Sequence, residues 1–217
     1  MKIVVKIAIF MLAVVIMVMP IVACGEPTAP SESAEPTSTL KKITLADASI
    51  VLDMSSELPA SFECLDAASE GFSNKDLGLG SDFSEVELFL SEEPYQIVFA
   101  YLCIIESQLE RATSDAFMKD EEQIESMVLE NLRAGAAEEG VELSEANVEV
   151  THPDVGDLAV LGSGTMGAYG FSMGYDMLLF KSNKVYIFIF SIYLPGESVS
   201  LVPLARGIEQ RIGVFSQ

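Results

Sequence analysis

Few side chains in this chain of 217 residues are equipped for chemistry. They are three cysteines (Cys24, Cys64, Cys103), one histidine (His152), and a serine, Ser172, framed by Gly170 and Gly174. A serine so framed can be raised on a sharp turn between a strand and a helix. Its hydroxyl then becomes a nucleophile, provided an acid and a histidine base follow it in the chain. Here the residues after Gly174 are strand-like, and His152 comes before the serine. His152-Pro153-Asp154 reads instead as the end of a strand, with the ring exposed or bonded to backbone. One histidine and two distant cysteines make no zinc set. Asp154 and Asp157 lack the alternating acids of a calcium loop. No catalytic, cofactor-binding or metal-ligating residue is assigned, and an enzyme using Ser172 stays as the alternative reading.

A second pattern is Gly162-Ser163-Gly164-Thr165-Met166-Gly167, preceded by Leu158-Ala159-Val160-Leu161. It resembles the dinucleotide fingerprint of hydroxyacyl-CoA dehydrogenases, in which glycines let a helix N-terminus approach a pyrophosphate. That resemblance implies a nucleotide cofactor on the Gly162–Gly167 loop. The context speaks against it: residues 168–174 make a poor helix, and no acid ends the next strand to hold a ribose. The plain alternative is a turn-rich connector over Gly162–Gly174.

Cys24 belongs to a different context. Lys2 and Lys6 form a short positive region, Ile7 to Met19 is unbroken apolar sequence, and Pro20 ends any helix there. Ile21-Val22-Ala23-Cys24 then resembles the lipobox of bacterial prolipoproteins. The resemblance implies a signal peptide over 1–23, cleaved to leave Cys24 as a lipidated N-terminus in the cell membrane, facing outside the cytoplasm. The competing reading is an uncleaved anchor over Ile3–Ala23, long enough to span a bilayer. Residues 24–40 follow as a Pro/Ser/Thr/Glu tether that cannot bury enough to order itself. Residues 41–217 remain as one domain.

Charge narrows the partners. The chain carries 33 acidic and 12 basic residues, and from Cys24 onward it keeps all the acids and 10 of the bases, a net charge near −23. Nucleic acid is excluded as a partner, because phosphate binding needs a basic face. An anionic lipid surface repels such a domain, so the lipid has to hold it at the membrane. An envelope protein or a small ligand remains as partner. With Cys24 acylated, Cys64 and Cys103 are left as a candidate disulfide in an oxidising compartment, or else as two buried free thiols.

Periodicity supplies the elements. Strands are expected at Ser49–Met54, Phe62–Leu65 and Glu85–Leu90, the last half-exposed with Glu85, Glu87 and Phe89 on its outer side. Ala67–Ser81 reads as loop. Gln96–Ile105 is almost continuously apolar, as in a strand buried on both faces. Ser107–Gly140 is helical, with Leu109, Ala112 and Ala116 on one face. Asp120 caps a second helix carrying Ile124, Met127, Val128 and Leu132, and Gly140 stops it. A strand at Asn147–Val150, a hairpin of Tyr175–Phe180 with Val185–Tyr193, and a helix at Ser200–Val214 complete the chain. Asn183 supplies the hairpin's left-handed residue. Leu201, Leu204, Ile208 and Ile212 form the last helix's buried stripe.

Strands, helices, strands, helix is the order of an α+β fold, a mostly antiparallel sheet with helices packed on it. The layout resembles PsbP-like domains in Leu58-Pro59-x-x-Phe62, Val155-Gly156-Asp157, Ser182-Asn183 and Leu204-Ala205. That resemblance implies an α/β/α sandwich acting as a non-catalytic binding or accessory module.

Overall fold

The computed structural model describes residues 45–67, 84–105, 107–138, 140–168, 170–194, 196 and 198–215. The expected signal peptide, Cys24 and the tether lie outside them, as does nearly all of the expected 67–81 loop. Among the described residues the elements run α1 (Leu45–Leu52), β1 (Phe62–Leu65), β2 (Ser84–Glu92), β3 (Tyr95–Ile104), α2 (Gln108–Phe117), α3 (Glu121–Glu138), β4 (Leu143–Thr151), β5 (Leu158–Ala168), β6 (Phe171–Ser182), β7 (Val185–Tyr193) and α4 (Leu201–Phe215).

The seven strands form one antiparallel sheet in the order β1-β2-β3-β7-β6-β5-β4. The chain lays down β1 to β3, crosses one face through α2 and α3, and reaches the far edge at β4. It then returns strand by strand until β7 closes against β3. The fold is α+β, as the element order implied.

Two apolar cores lie on opposite faces of the sheet. On one, Ile124, Val128, Leu132 and Ala136 of α3 pack with Phe99, Val160, Tyr175 and Phe188. On the other, α1 and α4 bring Val51, Leu52, Leu204 and Ile208 onto Val98, Phe180, Ile187 and Ile189. β3 and β7 are buried on both faces, which is why their sequences are continuous apolar runs.

Several expected elements are corrected. Ser49–Met54 is not a strand: Leu45–Leu52 is helix α1. Ala48, Val51 and Leu52 are buried while Ser49 and Ile50 are exposed, a helical spacing hidden in a short β-branched run. The outer side of β2 is not solvated. Phe89 is buried, and Glu87 is half-buried with its carboxylate accepting from the Met54 amide (3.3 Å), because α1 and the turn after it cover that face. In α2, Leu109, Ala112 and Ala116 are exposed. The helix docks through Phe117, which is buried in the α3 core, and through its polar side, where Asp115 accepts from Lys181 and from the Tyr186 hydroxyl (2.8 Å). Burial pushes the Asp115 carboxyl up, but those two bonds outweigh it and hold it below the usual range. The caps stand as read: Asp120 accepts from the Gln123 amide (3.0 Å), Gly140 has φ +69° and Asn183 φ +59°.

The largest correction is Gly162–Gly174, which is not a connector. It is the C-terminal half of β5, a turn, and the start of β6, in unbroken register from Leu158↔Lys181 to Ala168↔Phe171. The glycines serve close approach. A Cβ on Gly164 would collide with the Asn147 carbonyl and the Tyr175 hydroxyl, which bond each other there (2.6 Å). A Cβ on Gly174 would enter the Tyr193 ring. Gly164→Ala is therefore expected to lower stability by ~1–3 kcal/mol, the usual cost of overpacking. Urea denaturation checks this, and an unchanged midpoint would return the glycines to a role in binding.

Candidate functional site

Register places polar residues in two adjacent rows across the α1/α4 face. One row is Ser91, Gln96, Tyr193, Gly174, Thr165 and Asn147, each paired directly with the next. The other is Ser191, Asp176, Ser163 and Glu149. At the β2–β3 end the rows are sealed. Ser91, Gln96 and Ser191 are fully buried, and the Gln96 amide donates to the Ser191 hydroxyl (2.7 Å) while its carbonyl oxygen accepts from the Val199 amide (3.0 Å). The segment between β7 and α4 is thereby pinned over the sheet. At the β4–β5 end no described helix lies on this face. Asn147, Glu149 and Thr165 are exposed there.

Asp176 sits at the boundary between the sealed and open parts. Burial raises its carboxyl above the usual range, and hydrogen bonds from Ser163 and Tyr193 partly offset this. The Tyr193 ring lies against Gly174, and its hydroxyl also bonds Ser198. The open face is thus a strip of hydroxyl and amide groups with carboxylates at Glu145, Glu149 and Asp176. Such a surface can hydrogen-bond uncharged polar groups and attract cations.

The residues singled out from sequence fall apart in space. Ser172 is exposed on β6, paired with Gly167, and a strand continues after it where a nucleophile elbow needs a helix. His152 follows the end of β4. Its Nδ1 donates to the Ala159 carbonyl (2.9 Å) and its Nε2 stands 3.2 Å from Glu121 Oε1. Leu161, opposite Thr151, lies six residues along β5 from Gly167, roughly 20 Å. No base therefore reaches Ser172 from His152. Asp157 accepts from the Asn183 amide (2.6 Å) and ties the β6–β7 turn, a structural duty. Asp154 lines a surface groove of ≈ 280 Å³ with Arg206, Glu209 and Gln210. No group of three or more metal-ligating side chains is found among the described residues.

The candidate disulfide is also corrected. Cys64 pairs with Phe89 and so lies on the α1/α4 face, whereas Cys103 packs with the α3 core on the other. Both thiols are free. The alternative of two buried thiols fails as well, since Cys64 is exposed. Burial pushes the Cys103 thiol up to about 12, and burial together with Glu87 and Asp53 raises Cys64. Two bonded cysteines must share a face within about 7 Å.

Sequence reading passed over Asp176, Gln96 and Ser191. The available signal was a polar residue set inside an otherwise apolar strand. A scan against models of known protein families matches none, and a search of curated proteins finds no similar sequence.

Two expectations follow. Maleimide should label the exposed Cys64 in the folded protein much faster than the half-buried Cys103, and unfolding should remove the difference; mass spectrometry of the digested product reads both. Glu87 gives a pH test. Burial, the leading cause, pushes its carboxyl from 4.5 to about 7, so the folded state prefers the protonated form. Stability is then fully present below about pH 4.5 and falls as pH rises toward 7, where the folded group ionises too. Glu87→Gln should flatten that fall and raise the urea midpoint at about pH 8, with little change near pH 4.5. An unchanged midpoint at the higher pH would contradict it.

Proposed function

We propose that this protein is a membrane-anchored, extracytoplasmic lipoprotein whose α+β domain is a non-catalytic binding or accessory module of the PsbP-like kind. The open polar half of the sheet carries the binding part of this reading. It is a broad hydrogen-bonding surface on a rigid scaffold, the kind of surface a binding partner needs. The anchor rests on Lys2, Lys6, the apolar run and Ile21-Val22-Ala23-Cys24. Helices on both faces of an antiparallel sheet are in keeping with the PsbP-like layout.

Intact mass of the protein purified from a bacterial membrane tests the anchor. The expected mass begins at Cys24 and includes acyl chains, and Cys24→Ser abolishes the modification. A full-length, unmodified mass would leave an N-terminal membrane helix in place of the lipid. A generic ester assay and an NADH titration test the module. Turnover lost with Ser172→Ala, or a saturable NADH signal lost with Ser163→Ala, would replace the binding reading with an enzyme.

A further inference from the structure

β4 is the terminal strand of the sheet, and among the described residues its outer edge pairs with nothing. Glu145, Asn147, Glu149 and Thr151 stand exposed on its open face. On its other face Ala146, Val148 and Val150 are half-buried against the α3 core. Such an edge is a template for one more strand.

We propose that the free edge of β4 accepts an extended segment of another protein, with cationic side chains at two positions four residues apart and apolar residues at the alternate positions between them. Pairing sets this pattern. Side chains of an added strand alternate between the two faces, so those beside Glu145 and Glu149 share one face and those beside Ala146, Val148 and Val150 the other. The residue between the two cations lies beside Asn147, whose side-chain amide is already bonded to Thr165 (3.0 and 3.1 Å), so a small polar side chain suffices there. The stretch of sequence around these carboxylates offers no internal cation: residues 134–180 contain eight acidic side chains and neither lysine nor arginine.

A second copy of this chain brings no cation to these carboxylates, since β4 holds neither lysine nor arginine. Antiparallel self-pairing centred on Asn147 sets Glu145 of one strand against Glu149 of the other, like charges directly opposed. The net charge of −21 adds to the repulsion. The apolar side chains on the rear of β4 would admit a copy; the carboxylates on the front select against it.

The inference deepens the binding reading and is independent of the lipid. Its test uses the full-length protein in detergent and a short synthetic peptide. The peptide carries two lysines four residues apart, valines at the two alternate positions between them, and a threonine at the centre. Backbone amide signals of β4 should shift on titration. Glu145→Gln with Glu149→Gln should weaken the affinity about tenfold, as expected for two lost charge pairs. Glu122→Gln with Glu130→Gln, exposed on α3, removes the same charge and should leave affinity unchanged. Equal binding of a scrambled peptide of the same composition, or equal weakening by both double variants, would reduce the effect to general charge attraction and overturn the proposal. Dimerisation through β4 would overturn it in favour of a second copy. If the patterned peptide fails to bind while the native protein still recovers a stoichiometric partner, this inference falls and the binding module stands.

Discussion

The pairing of β3 with β7 is the constraint on which everything else depends. It joins Gln96–Ile104 to Val185–Tyr193 in continuous register, across some eighty residues of intervening chain. Closing so long a loop costs entropy before any contact offsets it. What offsets it is burial on both faces: Phe99 and Phe188 toward α3, Ala100 and Ile189 toward α1 and α4. Without this seam, β1–β3 and β4–β7 are two separate meanders, each exposing an apolar strand. With it, each helix has a sheet wide enough to cover.

Much of this was legible because burial writes itself into sequence with a period. Val185–Tyr193 has almost no polar residue and is the central strand. Leu201, Leu204, Ile208 and Ile212 recur at helical spacing and are the buried stripe of α4. What could not be read were features that depend on a partner distant in sequence. Gly164 resembles turn chemistry until the Tyr175 hydroxyl and the Asn147 carbonyl are seen to occupy its missing side chain's space. Ser49–Leu52 suits a strand as well as a helix, and its packing against β2, β3 and α4 decides. Leu109 is exposed, and apart from Phe117 at its end α2 is held by Asp115, Lys181 and Tyr186. A polar dock of this kind has no hydrophobic period to detect.

The candidate site was less legible than the fold. Its motif-like residues, Ser163, Thr165 and Ser172, do share a face, but through strand register and without the turn geometry their patterns suggested. Asp176 draws its character from Ser163 and Tyr193 on the two neighbouring strands. The buried Gln96–Ser191 bond explains a polar pair in an apolar run. Unbonded, those groups would be costly; bonded to each other and to Val199, they fix one register and one path for the chain into α4.

α1 and α4 share a face, and Arg211 bonds both the Val51 carbonyl and the Glu57 carboxylate. This has a mechanical consequence. A domain held from its N-terminal side takes tension first at α1, not at the sheet. The guanidinium clamp and the packing of Val51 and Leu52 are the contacts such tension would meet first. Along the chain, α1 stands between the N-terminal side and the first strand of the seven-stranded platform.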